Sequence, residues 1–455
     1  MRRITAGAVR PDWRETIARQ GLVYNDTALP TGEVVSYWRE GPFYDFTAAQ
    51  VEALHADAGT LLEMCVAAGD HILEDGLLDR LGIPEFAWEQ IARTWYDDDT
   101  GPGGRSRGDF SPSVYGRFDL RYAGVDGARP QLLEFNADTP TALPESAVTQ
   151  WYWHVQTGQG KDQWNALHER LIAAWQRNLA RLRQTRPHLP DPLTIHFACD
   201  GGDRSGEDLF NTEYLMETAR QALEPLGYRV KFLWMSQVGA GDLAARDHFY
   251  DSGFGDAGRP TPGDVGHRTV DGPGRERIYV IFKLYPWEWM CSERFARQCF
   301  RDMGDPRRDG TVWIEPPYKM LWSNKGLLPV LWRLFGDDPA RRDLLLPAYF
   351  EAERPAWLTS YVRKPLLGRE GANVTIVVDG AVVVSTPGPY GAGPFVCQAY
   401  SPLPGFPDER GAPWHPVLGV WLIDGEPAGL GIRESGGPIT DNLSHFVPHT
   451  IDYDG

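Results

Sequence analysis

Two stretches decide the fold of this chain: YGRFDLRY at residues 115–122 and LLEFNADTPT at residues 132–141. Both alternate polar and apolar residues, which is the period of a β-strand. Asp126-Gly127 lies between them, and Asp-Gly is a strong signal for a two-residue hairpin loop. If this dipeptide is the loop, Val125 pairs with Ala128. The stretch therefore predicts an antiparallel hairpin whose register is counted outward from the turn.

That register places four polar side chains on one face of the hairpin. Asp119 faces Glu134 and Arg117 faces Asn136, and opposed residues share a face. Two carboxylates and an amide oxygen suit Mg²⁺, and the arginine suits phosphate or a developing oxyanion. The alternative is an exposed sheet face with cross-strand ion pairs. Two opposed carboxylates would repel each other without a cation, which favours the metal site.

Composition indicates a globular protein with a small-molecule function. The 455 residues are enough for two or three domains, and 42 % of them are hydrophobic, which is ordinary for a soluble chain. The formal charge of −17 argues against general nucleic-acid binding, which favours basic surfaces. The charge is compatible with a cationic substrate, although solubility alone also explains it.

Cysteine usage and hydropathy predict the compartment. The five cysteines are scattered, without a CxxC pair or zinc-site spacing, which favours a reducing environment. The N-terminal MRRITAG lacks the apolar run of a signal peptide. No apolar run reaches the ~18 residues that a membrane span needs. We therefore expect a cytoplasmic protein without a membrane span.

A β-loop-α-β unit is predicted in the middle of the chain. Residues 194–198 form its first strand and residues 229–235 its second. Ligands of such sheets bind beyond the carboxyl ends of the strands, where Glu207 and Asp208 fall. The alternative role of these acids is to charge the first turn of the helix, and the sequence leaves both open. Residues 252–277, rich in Gly, Pro, Asp and Arg, predict a surface insertion or loop.

The C-terminal third predicts a glycine-containing loop between two strands. LLGREGAN at residues 366–373 is not a Walker loop, but such a loop can lay backbone N–H groups over phosphates. Lys364 precedes it and favours nucleotide binding, because a lysine neutralises phosphate charge. Residues 398–401 are a candidate strand against an adenine edge, with ordinary strand pairing as the alternative. Lys325 alone predicts only a solvated lysine.

Six motifs carry a resemblance to a known family. From about residue 20 to its end, the chain resembles the synthetase domain of glutathionylspermidine synthetase, a member of the ATP-grasp superfamily. It is similar to the shorter relatives that lack an amidase domain and are described as acid–amine ligases. The motifs are YGRFDLRY, LLEFNADTPT, FKLYPWEW, IEPPYKMLWSNKGLLPVLW, VRKPLLGREGANV and GLGIRE.

The resemblance implies the fold class and the division of the chain. It implies an α/β (α+β) protein with an ATP-grasp fold, an N-terminal pre-ATP-grasp-like α/β region and a strand order open to permutation. We expect a mainly helical region at residues 1–110. The metal-binding hairpin and the pre-ATP-grasp-like region are expected at residues 111–310, and the nucleotide-binding region at residues 311–455.

The resemblance also implies ATP and Mg²⁺, the latter as two ions, and assigns roles to residues. Arg117 matches an arginine that contacts the transferred phosphate and stabilises the transition state. The positions that match Mg²⁺ ligands are Asp119, Glu134 and Asn136. The positions that match ATP contacts are Lys325, Lys364, Glu370, Gly371, Gln398, Ala399, Tyr400, Ser401 and Arg433. The positions that match contacts to the peptide or polyamine substrates are Thr139, Thr141, Glu207 and Asp208.

Two departures from the family pattern affect the substrates. Trp289 stands where glutathionylspermidine synthetase has a threonine that contacts glutathione, so we expect the indole to reshape the acid pocket. The tail after Arg433 also departs, and Asp441 is a candidate for the aspartate that contacts the polyamine. The ATP and metal machinery therefore carries over better than glutathione or spermidine.

The expected activity is amide ligation driven by ATP through an acyl phosphate. The expected partners are a small acid (a peptide or an amino acid) and an amine (a polyamine or another amine), with no nucleic acid and no membrane. The oligomeric state stays open. A glycoside hydrolase, which also uses paired carboxylates, leaves Lys325, Lys364 and the glycine loop unexplained. A non-catalytic nucleotide-binding relative of the ligases is the other alternative.

Overall fold

Helices and sheets alternate along the chain in the computed structural model, which describes residues 1–29, 32–96, 112–240, 248–252, 276–304 and 310–453. Residues 253–275 of the expected insertion lie outside this range. No helix among the described residues has the length and apolar character needed to cross a membrane. The α-helices are α1 (Trp13–Arg19), α2 (Ala48–Glu74), α3 (Glu85–Trp95), α4 (Gln150–Thr157), α5 (Leu167–Thr185), α6 (Glu207–Leu223), α7 (Trp287–Met290), α8 (Ala296–Met303), α9 (Lys319–Ser323) and α10 (Leu327–Phe335).

The strands build several sheets, which confirms the predicted mixed α/β class. They are β1 (Arg2–Thr5), β2 (Asp26–Ala28), β3 (Val34–Ser36), β4 (Pro42–Thr47), β5 (Tyr115–Arg121), β6 (Gln131–Asn136), β7 (Thr194–Cys199), β8 (Arg229–Trp234), β9 (Val238–Ala240), β10 (Phe249–Asp251), β11 (Glu276–Arg277), β12 (Val280–Leu284), β13 (Val312–Ile314), β14 (Ala348–Phe350), β15 (Tyr361–Pro365), β16 (Thr375–Val378), β17 (Ala381–Ser385), β18 (Phe395–Ala399), β19 (Phe406–Pro407), β20 (Pro413–Ile423), β21 (Glu426–Ser435), β22 (His445–Val447) and β23 (His449–Asp452).

The predicted hairpin is β5–β6, at the edge of an antiparallel sheet of order β22-β21-β20-β5-β6. Its four polar residues pair in the predicted register, but the predicted two-residue loop is wrong. The connection runs over residues 122–130. A turn does form at the expected dipeptide, where Ala128 N donates to Val125 O at 3.1 Å. The ladder stops short of it because Pro130 lacks an N–H and Leu133 forms a bulge.

The β-loop-α-β unit forms as predicted. Strands β7 and β8 are parallel neighbours in a sheet of order β13-β12-β7-β8, and α6 packs against both. β7 and β12 are buried along their whole length, as strands inside a parallel sheet should be. The first turn of α6 therefore lies beyond the carboxyl end of β7, where the sequence places Glu207 and Asp208.

The glycine loop belongs to a separate antiparallel sheet of order β14-β18-β15-β16-β17. It joins β15 to β16, as the sequence predicts. Asp379 and Gly380 form the tight turn between β16 and β17, with positive φ values of 50° and 80°. This sheet faces the hairpin across a cleft.

Strands from distant parts of the chain share sheets. β4 lies between β1 and β23, so the first and last described strands flank one neighbour. β5 pairs with β20, although they are hundreds of residues apart. The sequence segments are interleaved in space, and the three predicted regions stay predictions.

Candidate active site

The polar face of the hairpin forms the floor of the site. Arg117 donates to Asp119 through Nε at 2.6 Å and through Nη2 at 3.0 Å. Asn136 Nδ2 donates to both carboxylates, at 3.2 Å to Asp119 and 3.0 Å to Glu134. The two predicted carboxylates therefore converge on one amide, next to the predicted arginine.

Arg117 is fixed on both sides by its surroundings. Its Nη1 donates to the backbone carbonyl of Thr141, and its guanidinium lies 5.4 Å from the centre of the Trp421 ring. Gly419 lies on the adjacent strand β20, and a Cβ there would be 2.8 Å from Arg117 Cδ. Glycine at this position leaves room for the arginine side chain.

Two lysines set the charge of Glu134. Lys325 Nζ lies 2.9 Å from Glu134 Oε2, so this lysine is buried and paired rather than solvated. Burial acts to raise the pKa of Glu134, but Lys325 and Lys364 outweigh it and lower the pKa to about 2. Burial raises the pKa of Asp119 despite its ion pair with Arg117. The cluster is an anionic site that cations must balance.

Lys364 and Gln398 join the sheet that carries the glycine loop to the hairpin, through hydrogen bonds with backbone carbonyls. Lys364 Nζ donates to Leu133 O at 3.1 Å and to Gln398 Oε1 at 2.8 Å. Gln398 Nε2 donates to Leu132 O at 2.9 Å. Burial lowers the pKa of Lys364 to about 8, although Glu134 opposes the shift.

The cleft between the two sheets has an apolar wall and a charged end. Its apolar wall includes Val362, Ile376 and Leu403, while Lys325 and Lys364 lie at the charged end with the hairpin carboxylates. Ala399 ends β18 close by. The other predicted ATP contacts that line the cleft are Glu370, Gly371, Tyr400 and Ser401.

The glycine loop is fitted closely to the segment after β21. Gly371 has a φ of 69°, and a Cβ there would lie 2.7 Å from the carbonyl oxygen of Thr440. Glu370 Oε2 accepts a hydrogen bond of 2.6 Å from Asn442 Nδ2. Only glycine satisfies both the left-handed backbone and the close approach at residue 371.

Arg433 and Asp441 meet at the same edge of the cleft. Arg433 Nη2 donates to the backbone carbonyl of Asp441, and Arg433 Nε has no hydrogen-bond partner although it is buried. The Asp441 carboxylate accepts from Leu443 N at 2.9 Å and closes its own turn. Arg433 therefore keeps a donor for an anionic ligand, while the Asp441 carboxylate is engaged within the turn.

Arg369 of the glycine loop brings Thr139 and Trp289 together. Arg369 Nη1 donates to Thr139 Oγ1 at 2.8 Å, and Nη2 donates to Glu288 Oε1 at 2.6 Å. Its guanidinium lies 5.7 Å from the centre of the Trp289 ring, which is 39 % exposed. Arg369 thus ties the glycine loop to Thr139 and Glu288, next to the residues for which the family resemblance implies contacts with the acid substrate.

A buried ion pair supports that segment from beneath. Lys283 Nζ lies 2.8 Å from Asp138 Oδ1 and also donates to the carbonyl of Tyr285 at 2.9 Å. Asp138 Oδ2 accepts from Trp287 N at 2.9 Å. Because Lys283 and Asp138 are both buried, the pair fixes the position of Thr139 relative to α7.

A cluster of acidic side chains lies beside Thr141. Glu207 and Asp208 begin α6, and Glu207 makes a side-chain hydrogen bond with Thr141. Burial, with the charge of Glu207, raises the pKa of Asp208 to about 8. Glu145 Oε1 accepts from the Tyr24 hydroxyl and Oε2 has no partner, and burial raises the pKa of Glu145 to about 7. Glu207 and Asp208 thus charge the first turn of α6, with Thr141 and Glu145 beside them.

The residues of this site that were not predicted from the sequence include Lys283, Arg369 and Glu145. Lys283 left a signal, because a lysine inside the apolar strand FKLY needs a buried partner. Arg369 was part of a recognised motif without a role. The sequence gives no signal for Glu145, because its hydrogen-bond partner Tyr24 lies far away in the chain.

The residues present fit Mg²⁺ and ATP. The hairpin offers an all-oxygen donor set when the Asn136 amide turns its Oδ1 toward the two carboxylates, and Mg²⁺ prefers oxygen ligands. Lys325 and Lys364 lie at the charged end of the cleft, and their ammonium groups suit phosphate oxygens. The Nε atoms of Arg369 and Arg433 are buried without a partner, which suits an anion that brings its own acceptors.

Known proteins match nearly the whole chain. A family model described as glutathionylspermidine synthase preATP-grasp matches residues 4–253 and 264–452. The chain belongs to this family. A Haemophilus influenzae protein named "Putative acid–amine ligase" is 31 % identical over 458 residues, 99 % of either chain. Trypanothione synthetase of Crithidia fasciculata is 25 % identical over 402 residues, which are 84 % of this chain and 52 % of that protein.

Membership of the glutathionylspermidine synthase family confirms the predicted class of enzyme, a ligase that forms carbon–nitrogen bonds. A solved structure of a glutathione synthetase-like effector, GSS30 of Globodera pallida, aligns over 97 % of this chain and 95 % of its own, with 11 % identity and a TM-score of 0.49. The roles of single residues in the site stay predictions.

Proposed function

We propose that this enzyme joins the carboxyl group of a small acid to an amine, using ATP and Mg²⁺, through an acyl-phosphate intermediate. One observation carries the proposal: two carboxylates, two lysines and an arginine converge on one cleft beneath a glycine loop. Phosphoryl transfer needs positioning and charge neutralisation more than covalent help, and this set of residues supplies both.

ATP would lie along the cleft from its apolar wall to its charged end. The adenine would rest against Val362 and Ile376, with Tyr400 and Ser401 at its edge. Lys364 would hold the phosphates at the other end. Asp119, Glu134 and Asn136 would hold Mg²⁺, which neutralises the charge that develops on the transferred phosphoryl group.

The first chemical step forms the acyl phosphate. A carboxylate oxygen of the acid attacks the γ-phosphorus of ATP, the bond to the β,γ-bridging oxygen breaks, and ADP leaves. Arg117 is fixed at the centre of the hairpin, where its guanidinium would neutralise the oxygens of the transferred group. Arg369 latches the glycine loop, and this closure would keep water from the acyl phosphate.

The second step forms the amide. The amine nitrogen attacks the acyl carbon, phosphate leaves, and the nitrogen loses a proton. Free amines are protonated near neutral pH, so an acidic pocket suits the incoming substrate. Glu207 supplies negative charge there, and the pKa of about 7 for Glu145 would let this carboxylate take up the proton near neutral pH.

The deciding experiment measures phosphate release from Mg-ATP across a matrix of small acids and amines, with product masses recorded. We expect ADP and phosphate to form with one class of acid–amine pair, and a product lighter than the pair by one water. ATP binding without turnover for any pair would contradict the proposal and favour a non-catalytic relative. ATP consumption with an acid but no amine, giving a hydroxamate when hydroxylamine is added, would support the acyl phosphate directly.

The acid pocket has its own test. Trp289 stands against Arg369 beside Thr139, so a smaller side chain would open space there. We expect Trp289→Thr to raise the KM of the native acid and to lower the KM of bulkier peptide acids such as glutathione, with the KM of ATP unchanged. An equal KM for every acid in both proteins would contradict the placement of the acid.

A further inference from the structure

A second cluster of ligand-type side chains lies between the parallel sheet and the small sheet β9–β11. His196, Asp251 and Glu276 each offer one donor atom, and these atoms all lie within 4.8 Å of one another. None of the three is part of the proposed ATP or Mg²⁺ site. The question is what this cluster binds.

Strand pairing explains how the cluster forms. His196 on β7 pairs with Lys231 on β8, and Asp251 on β10 pairs with Glu276 on β11. Side chains paired in this way share a face of their sheet. A hydrogen bond of 2.6 Å from Thr194 Oγ1 to Glu276 Oε1 ties the two sheets together. Two pairs of side chains therefore point at each other across the junction.

The imidazole of His196 is the unusual member. The residue is completely buried, and neither ring nitrogen has a hydrogen-bond partner. The backbone of Val280 lies beside the ring but not in hydrogen-bonding geometry. Burial lowers the pKa of His196. Buried polar groups in native proteins normally have a partner.

A lysine shows that the cluster attracts a cation. Lys231 Nζ lies 3.0 Å from Glu276 Oε2 and also contacts Asp251. Its side chain is 44 % exposed, so it can swing out to solvent. The ammonium group of Lys231 pairs with both carboxylates, but it forms no hydrogen bond with His196. An ion that binds imidazole and carboxylate together would use all three groups.

We propose that His196, Asp251 and Glu276 form a binding site for a divalent transition-metal ion of the Zn²⁺ type. One imidazole nitrogen and two carboxylate oxygens are typical Zn²⁺ ligands, whereas Mg²⁺ takes an all-oxygen set. Three protein ligands leave a fourth position for water. Lys231 is the built-in competitor and moves away as the ion enters. The ion would brace β9–β11 against the parallel sheet.

The test is a titration of the full-length protein with Co²⁺ and Zn²⁺ in millimolar Mg²⁺, which occupies the oxygen site of the hairpin. We expect one Co²⁺ per chain with a visible absorption band, displaced by Zn²⁺. His196→Asn should weaken binding at least tenfold, and Lys231→Ala should tighten it severalfold. His188→Asn is the matched control, because His188 is exposed and lies elsewhere in the chain.

Equal Co²⁺ affinity in the wild type and in folded His196→Asn protein would overturn the proposal. So would an absence of Co²⁺ uptake by the wild type up to millimolar metal. If His196→Asn does not fold, Glu276→Gln replaces it, because this side chain is 34 % exposed and should tolerate the change. Unchanged binding in that variant, or loss of binding in the His188→Asn control, would assign the ion to adventitious surface sites.

Discussion

Glu134→Gln is the sharpest perturbation of the proposed metal site, because it removes a charge and keeps the shape of the side chain. The pKa of Glu134 falls from an ordinary 4.5 to about 2 in the folded protein. This shift corresponds to about 3 kcal/mol in favour of the carboxylate. The side chain is 28 % exposed, so solvent screening reduces the figure to about 2 kcal/mol. A neutral glutamine would leave Lys325 and Lys364 without that anion. The ion would keep Asp119 as its only charged ligand among the three proposed ones.

We expect Glu134→Gln to weaken metal binding at least ~10-fold, because the ion would lose one of its two charged ligands and even outer-shell changes at metal sites cost about 10–100-fold in affinity. Mn²⁺ is the probe, measured by electron paramagnetic resonance in the presence of a non-hydrolysable ATP analogue, so that no acid or amine is needed. Glu409→Gln is the matched control, since Glu409 is exposed and outside the cleft. A folded Glu134→Gln protein that binds Mn²⁺ within threefold of the wild type would refute the reasoning.

Three further predictions follow from the same contacts. Binding of Mg-ATP should weaken as the pH rises through about 8, because burial lowers the pKa of Lys364 to about 8 and only its protonated form carries charge; calorimetry at pH 7 and pH 9 checks this, and Lys364→Arg should remove the pH dependence. Lys283→Met should destabilise the protein by about 3–5 kcal/mol in urea unfolding, since it leaves the Asp138 carboxylate buried without its cation; adding Asp138→Asn should recover part of the loss, and no recovery would contradict the ion-pair account. Gly371→Val should raise the Kd for ATP at least tenfold in protein that is still folded, because residue 371 has a φ of 69° and no room for a Cβ beside Thr440; a Kd within twofold of the wild type would show that the loop does not contact the nucleotide.

The hairpin shows what local sequence can predict. The alternation of polar and apolar residues and the Asp-Gly turn gave the correct facing of Asp119 with Glu134. The same reasoning missed the length of the loop, because it could not foresee the bulge at Leu133, whose carbonyl accepts a hydrogen bond from Lys364 on another sheet. Periodicity fixes which face a side chain occupies, whereas the end of a ladder depends on partners elsewhere in the chain.

The partners of the charged residues show where sequence reasoning stops. Lys325 read as a solvated lysine, and only the fold brings it to 2.9 Å from Glu134. The family resemblance implies an ATP contact for Lys325, but it does not indicate the ion pair with Glu134. Glu145 and Tyr24 illustrate the harder case, because no local pattern links a π-helical turn to a residue in the N-terminal segment. Long-range contacts of this kind follow from topology alone.

Lys364 and Gln398 hold the hairpin through hydrogen bonds to backbone carbonyls. Lys364 donates to Leu133 O, and Gln398 donates to Leu132 O. The two sides of this junction therefore differ in how they tolerate mutation. The side chain of Leu133 can drift through many residue types while its carbonyl stays in place, whereas Lys364 and Gln398 have no such freedom. A saturation library across the four positions should show tolerance at residue 133 and, at residue 364, loss of activity with every residue except Lys and Arg. The hairpin and the sheet that carries Lys364 would then stay joined as one unit even where the side chain of Leu133 changes.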